Sequence, residues 1–439
     1  MRLSKWQTAI ITLLNVIIAT LVIVIAVTGR GTANGGADGT PSVPDAPTVT
    51  DPEHVKLRDA AAGLVPEIER ETRLMGSGDE TAVNVFFRGG VTYIFGNATV
   101  ADYDFDSYGG FLCVVNGAGT ILSFTYYDGR IYGVCDYGAG YVVAAGRKLY
   151  RTEYTGEKHE CAAFDGDALD VFCADGGDLS AKNGKIALVT QPTPNSLKLT
   201  EYSFTGDKLN SGRSTSIYSG YTVKYFDCYD FGGSYVISAR VYSLPRYDSL
   251  AFYSFAAGGD ATVHYFGGDV SLSTPYAVMP FSAGYFAVAS INGVAAILSV
   301  DYSFTSFHSV TLGFTCTAAR LLYADNKYYA CYERGDGAVC YTVEPDLKRE
   351  QLDLGGMSVG FATKLGVTAL AGKSNDGATI RYGSDVLELG IKDPVFYGMT
   401  VYEGNVIAVL SAIGGDALSA PSGNRDVYVV TIKGGAIGL

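Results

Sequence analysis

The chain repeats itself. EYSFTGDKLN, from Glu201 to Asn210, returns as FYSFAAGGDA from Phe252 and as DYSFTSFHSV from Asp301, with a looser echo, LYRTEYTGEK, from Leu149. A second phrase stands ahead of each: Gly or Asn, then an apolar run rich in Tyr, Val and Ala. It reads GYVVAAG from Gly140, GKIALVT from Gly184, GSYVISA from Gly233 and GYFAVAS from Gly284. Weaker copies are NKYYACY from Asn326, GVTALAG from Gly366 and GNVIAVLS from Gly404. Successive starts lie 44, 49, 51, 42, 40 and 38 residues apart. A unit that recurs at this length cannot bury its apolar faces alone and must stack on its neighbours.

Each unit has room for four strands. The unit around residue 190 shows them as LDVFCADGG, KIALVT, LKLTEYSF and RSTSIYS. Four-stranded repeats of about 40–50 residues point to β-propeller blades. Seven units run from Ile131 to Lys433, and VTYIF, ATVADYDF, FLCVVN and ILSFTYY, between Val91 and Tyr127, make an eighth. The expectation is an all-β propeller over residues 83–434 with eight blades, seven being the alternative. The last unit ends at YVVTIK without an outer strand, and the strand around VNVFF, from Val83, is expected to supply it and close the ring. Composition agrees: 55 Gly and 32 Tyr suit short strands joined by tight turns.

The repeat form resembles the bacterial extracytoplasmic β-propeller proteins as a broad superfamily. The resemblance rests on no diagnostic motif. There is no WD dipeptide, and the single Trp is Trp6, so the Trp-bearing repeats of quinoproteins and sialidases are absent. The pair Gly232-Gly233 lacks the downstream Trp of kelch repeats. No family active site is carried onto the chain.

The N-terminus gives the location. No charged residue falls between Trp6 and Gly29, long enough for an apolar helix to cross a bilayer. Arg2 and Lys5 precede it, which places residues 1–5 in the cytoplasm and the remainder outside. The segment exceeds the usual apolar core of a cleaved signal and lacks a good cleavage site, so residues 6–29 are read as a transmembrane signal anchor. Residues 30–50, rich in Gly, Pro and Thr, read as a flexible linker. Residues 51–76 read as a helical stalk: Asp51 and Pro52 suit a helix start, and Val55, Ala62, Val65, Ile68 and Met75 fall near one face, with a kink at Pro66.

Motifs that carry chemistry are few. Asp102, Asp104 and Asp106 have the spacing of the first ligands of a Ca2+ loop. Ser107 stands where such a loop needs Gly and Cys113 where it needs Glu, so a solvated strand end competes with a cation site. GVTALAGKS, from Gly366 to Ser374, has one residue too many between its glycines for a phosphate loop and reads as a strand. In CYERGDGAVC a hairpin turning at Gly335-Asp336 places Cys331 opposite Cys340, a disulfide candidate in an extracytoplasmic protein. Asn97-Ala98-Thr99 matches a glycosylation sequon.

The net charge of −13 and the absence of a basic stripe argue against nucleic acid as a partner. No cofactor motif appears. The functional expectation is a membrane-anchored binding or scaffold module for a protein or an envelope polymer. The alternative is a glycan-active enzyme with a carboxylate pair in the central channel; a Tyr or Arg cluster beside that pair favours the enzyme, and small or apolar channel walls favour binding.

Overall fold

The computed structural model describes residues 55–438 apart from 77, 100–107, 175–184, 206–207, 232, 244–246, 257–260, 267–271 and 420–423. The expected anchor at 6–29, the linker at 30–50 and the triad Asp102, Asp104 and Asp106 lie outside the described residues. Among the described residues no helix is long and apolar enough to cross a membrane.

The repeated Gly-led phrases become the second strand of each blade. These strands lie between two other strands and under neighbouring blades on both faces, so they read as unbroken apolar runs. Tyr141–Ala145 and Gly284–Ile291 are buried at every position. Outermost strands face water on one side and alternate, as in Lys208–Tyr218. The turn ahead of the Gly-led phrase explains its first letter: Glu403 and Gly404 have φ of 51° and 76°, and Asp325 and Asn326 have 50° and 59°. These are tight hairpin turns of the kind that favours Gly and Asn. The YSF phrase behaves less uniformly. Tyr202–Phe204 and Tyr253–Phe255 belong to third strands, but Tyr302–Phe304 lies beyond the third strand Val294–Asp301, in a turn where Phe304 has φ of 58°.

Eight antiparallel sheets follow one another. Their innermost strands are Glu80–Arg88, Ile131–Asp136, Asp167–Ala174, Thr222–Asp230, Leu272–Phe281, Ala318–Ala324, Ser358–Leu365 and Val395–Tyr402, opening blades one to eight. Each innermost strand touches the next, and the last touches the first, so the ring is closed. The protein is an eight-bladed β-propeller.

Closure differs from the expectation in two ways. The strand containing Val83 is the innermost strand of blade one. The missing outer strand of blade eight comes from Ile68–Gly76, which pairs with Asp426–Ile432, and Val55–Ala62 adds a fifth strand outside it. The helical stalk expected at 51–76 is therefore corrected to two strands over Val55–Gly76. Local helix preference is weak, and the unpaired edge of Asp426–Ile432 offers a full ladder of backbone hydrogen bonds, which overrides it.

The apolar core is divided. Eight buried clusters each span two neighbouring blades. Tyr141 and Phe95 sit between blades one and two, Tyr235 and Val189 between three and four, and Val409 and Ile94 across the seam between eight and one. This is the physical reason for the repeat: no blade has a core of its own. Asn97 adds a polar clamp. Its side-chain oxygen accepts the Ile131 N–H at 2.7 Å and its amide donates to the Ile131 carbonyl at 2.9 Å, tying blade one to blade two. The residue of the sequon is buried and fully used.

Candidate functional site

In a four-strand meander, innermost strands begin, and second strands end, on one face of the ring. That upper face carries cavities between its blades. One of about 450 Å3 lies between blades three and four. Asp167 and Leu169 start the innermost strand of blade three, and Gln191 to Pro194 turn out of its second strand. Thr222 to Tyr225 open blade four, and Tyr242 nears the end of its second strand. The Gln191 amide donates to the carbonyls of Pro194 at 3.2 Å and Val223 at 2.9 Å, which fixes this wall.

Beneath the cavity stands a pair of acids. Tyr225, on its wall, donates its hydroxyl to Asp170 Oδ2 at 2.7 Å. The other oxygen of Asp170 faces Gly133: a Cβ added there would lie 3.4 Å from Oδ1. Asp170 thus touches the innermost strands of blades two and four from blade three, a position on the inner wall of the ring. Burial raises its pKa, and the Tyr225 hydroxyl and the Val171 N–H oppose the rise. Asp227, on the next innermost strand, is raised to about 6, first by burial and then by the charge of Asp170; the Cys228 N–H at 2.8 Å pulls the other way. Two buried carboxyls, both raised and with the charge of one opposing ionisation of the other, can hold a proton toward neutrality and return it.

Neither acid stood out in the sequence. Both follow a β-bulge in their strand, where the pairing with the second strand skips Leu169 and Phe226. The shared position is visible only once the units are aligned on that kink. Cys135 and Cys173 also meet on neighbouring innermost strands, with the Cys173 thiol within hydrogen-bonding reach of Cys135. The expected hairpin is present, with Cys331 directly opposite Cys340, both buried and both free thiols. Gly366 to Ser374 carries no phosphate loop, since Val367–Ser374 is the second strand of blade seven. Among the described residues no cluster of His, Cys, Asp and Glu is arranged to hold a metal ion.

A second cavity on the upper face, of about 240 Å3, lies where blades six, seven and eight meet. Asp393 holds Lys373 at 2.7 Å and Arg425 on its other oxygen, and its pKa is lowered, first by the Lys373 hydrogen bond. Ser358 donates to Glu333 at 2.9 Å on the opposite wall.

No family model matches the chain, and no curated protein matches it. Solved structures give distant likenesses. The β-propeller domain of the Trilobed protease from Pyrococcus furiosus is 7% identical, with a TM-score of 0.40 over 81% of this chain and 94% of that one. The WD40 domain of SCAP from fission yeast is 8% identical, with a TM-score of 0.44 over 87% and 91%. A streptogramin B lyase is 12% identical, with a TM-score of 0.39 over 68% and 93%. These likenesses assign no activity to the chain.

Proposed function

We propose that the chain is a membrane-anchored, extracytoplasmic propeller that binds a protein or an envelope polymer on its upper face. The observation that carries the reading is the cavity between blades three and four. Its size falls in the range of ligand sites, and its walls mix Tyr225, Tyr242 and proline surfaces with Asp167, Gln191, Thr222 and Lys224. Such a lining suits a partner that offers hydroxyls and amides. The anchor reading rests on the uncharged stretch from Trp6 to Gly29, with Arg2 and Lys5 ahead of it. Tethering would hold the upper face near its partner at high effective concentration.

The test is site-specific photo-crosslinking in cells with the full-length protein. A crosslinker at Thr193, in the turn walling the cavity, captures one envelope component reproducibly. A crosslinker at Asn326, in a turn on the opposite face, does not. Equal capture at both positions sinks the reading.

The acid pair favours a second reading, a glycan-active enzyme. Asp227, with its pKa near 6, would serve as general acid, and Asp170, steadied by Tyr225, as the ionised partner. One Tyr, Tyr225, stands beside the pair, where the criterion for an enzyme asks for a cluster of Tyr or Arg. Release of reducing ends from envelope glycans, abolished in Asp227→Asn and in Asp170→Asn, would support it. Tight glycan binding without turnover would return the site to the first reading.

A further inference from the structure

The repeat is broken at one place in the ring. In blades one, two, three, four, five and eight the innermost strand carries a bulge, and a bulky residue sits unpaired at it. These residues are Val83, Tyr132, Leu169, Phe226, Tyr276 and Tyr397, and each packs against the apolar cluster beside its blade. In blade seven the residue at the bulge is Gly360. Blade six has no bulge at all, and its innermost strand pairs in regular register from Ala318 to Ala324. The apolar cluster between these two blades is the smallest of the eight.

The space is taken instead by charge. The Arg320 guanidinium lies over Gly360, with Nη1 3.0 Å from where a Cβ would be. Arg320 is exposed at the wall of the 240 Å3 cavity and makes no hydrogen bond or ion pair among the described residues. The other charges nearby are spoken for: Lys373 and Arg425 share Asp393, and Glu333 accepts Ser358. Among its lining residues the cavity holds two cations, Arg320 and Lys373, against two anions, Glu333 and Asp393, and Lys373 is held by Asp393 while Arg320 has no carboxylate partner among the described residues. Gly360 does not have the positive φ that would require glycine, so its missing side chain is a matter of space rather than backbone conformation. The missing side chain lets the Arg320 guanidinium lie across the innermost strand of blade seven, where it forms part of the cavity wall.

We propose that this cavity binds a small carboxylate, as a free acid or as the carboxylate end of a longer ligand. The planar fork of Arg320 can pair with both carboxylate oxygens. Arg320, the lining cation without a carboxylate partner among the described residues, offers one charge and so matches a monoanion. A phosphate dianion would bring a second charge against Glu333 and Asp393. The cavity is below the size of sites for drug-sized ligands, which restricts the occupant to a small group. The site is separate from the cavity between blades three and four.

The test reads Arg320 directly. The full-length protein is treated with an arginine-selective dicarbonyl reagent, and modification of the Arg320 peptide is followed by mass spectrometry. Sodium acetate is titrated in, with sodium chloride and inorganic phosphate as parallel titrations. Acetate is expected to slow Arg320 modification by about tenfold at saturation, the scale of one charge-assisted bidentate pair, with chloride inert. Gly360→Val, which fills the gap as the other blades do, removes the acetate effect while the melting temperature holds. Gly360→Ala is the milder variant should valine not fold, and the wild-type titration stands without either. Absence of saturable protection by acetate overturns the proposal. So does protection by phosphate but not acetate, and so does protection that survives filling the gap.

Discussion

Arg73 reaches Asp426 across the seam of the ring: its Nε and Nη2 lie 2.9 and 2.5 Å from the same carboxylate oxygen, and both side chains are buried. Arg73 belongs to the strand that arrives from the N-terminal side, and Asp426 to the third strand of blade eight. The pair joins residues 353 positions apart. Removing one member leaves the other charge buried without its counter-charge. Arg73→Met is expected to destabilise the protein by about 3–5 kcal/mol, whereas Arg73→Met with Asp426→Leu recovers most of the loss. Urea unfolding of the two variants checks this. Equal losses in both would mean that shape, not charge, holds the seam.

Glu80 sits against the same site and makes it pH-dependent. It is fully buried against Asp426 and the Gly76 backbone, and its pKa is raised to about 9, by burial first and then by the charge of Asp426. Two ionised carboxylates cannot hydrogen-bond, so a proton on Glu80 turns the contact with Asp426 into an attraction. Arg73 pairs with Asp426 on the same side, and Asp79 adds a further negative charge. The folded pKa lies above the unfolded value near 4.5, so Glu80's contribution is complete below about 4.5 and is lost as pH rises toward about 9. Within that window stability should fall by roughly 1.4 kcal/mol per pH unit on account of this group. Glu80→Gln, which cannot ionise and can donate to Asp426, should flatten the curve. Melting temperatures from pH 5 to 9 for both proteins give the difference; parallel curves would show that Glu80 does not titrate in this range.

Asn97→Ala should loosen the joint between blades one and two. The substitution strands the backbone N–H and carbonyl of Ile131, each of which now bonds to the Asn97 side chain in a buried setting. Two unsatisfied buried groups predict a loss of roughly 2–4 kcal/mol. Asn97→Asp keeps the acceptor but not the donor and should cost more, because it buries a charge as well. Chemical denaturation orders the three proteins.

The closing strand makes a prediction that separates the observed seam from the one expected from sequence. A chain beginning at residue 51 retains Val55–Gly76 and should melt as a single closed ring. A chain beginning at residue 79 retains the strand containing Val83 but exposes the full edge of Asp426–Ile432, and it should aggregate or lose blade eight first. Hydrogen exchange at Val427–Ile432 reads the outcome. Unchanged protection in the shorter chain would mean that the seam closes without Ile68–Gly76.

The parts of this architecture that were legible in sequence are those fixed by burial on both faces. Second strands such as Gly284–Ile291 must be apolar throughout, so they announced the blade and its period. The hairpin that faces Cys331 with Cys340 was legible because a two-residue turn sets register. The closing strand was not: Ile68, Arg70, Glu71 and Arg73 carry no strand signal of their own and are strands only because Asp426–Ile432 lacks a partner. The acid pair was hidden for a related reason. Asp170 and Asp227 meet through bulges that skip Leu169 and Phe226, and a bulge is a property of two strands rather than of either sequence. Arg320 was invisible until Gly360, forty residues on, could be set beside the bulky residues at the same place in other blades.

Asp227→Asn should separate stability from function on the inner wall. Burial and the neighbouring Asp170 raise the Asp227 carboxyl from about 3.8 to about 6. The folded pKa is again above the unfolded one, so the stability contribution is complete below about 4, is lost between about 4 and 6, and stays lost at neutral pH. An amide keeps the acceptor for the Cys228 N–H and carries no charge to repel Asp170. Asp227→Asn should therefore stabilise the protein at pH 7 by up to about 3 kcal/mol, with little difference at pH 4. If the acid pair serves the ligand of the upper face, binding or turnover should fall in the same variant, because a strained pair held against stability is what a working site retains. Thermal unfolding at the two pH values, together with the crosslinking yield at Thr193, tests both halves. A variant that gains stability and keeps full capture would leave the cavity above as the binding site and remove the acids from it.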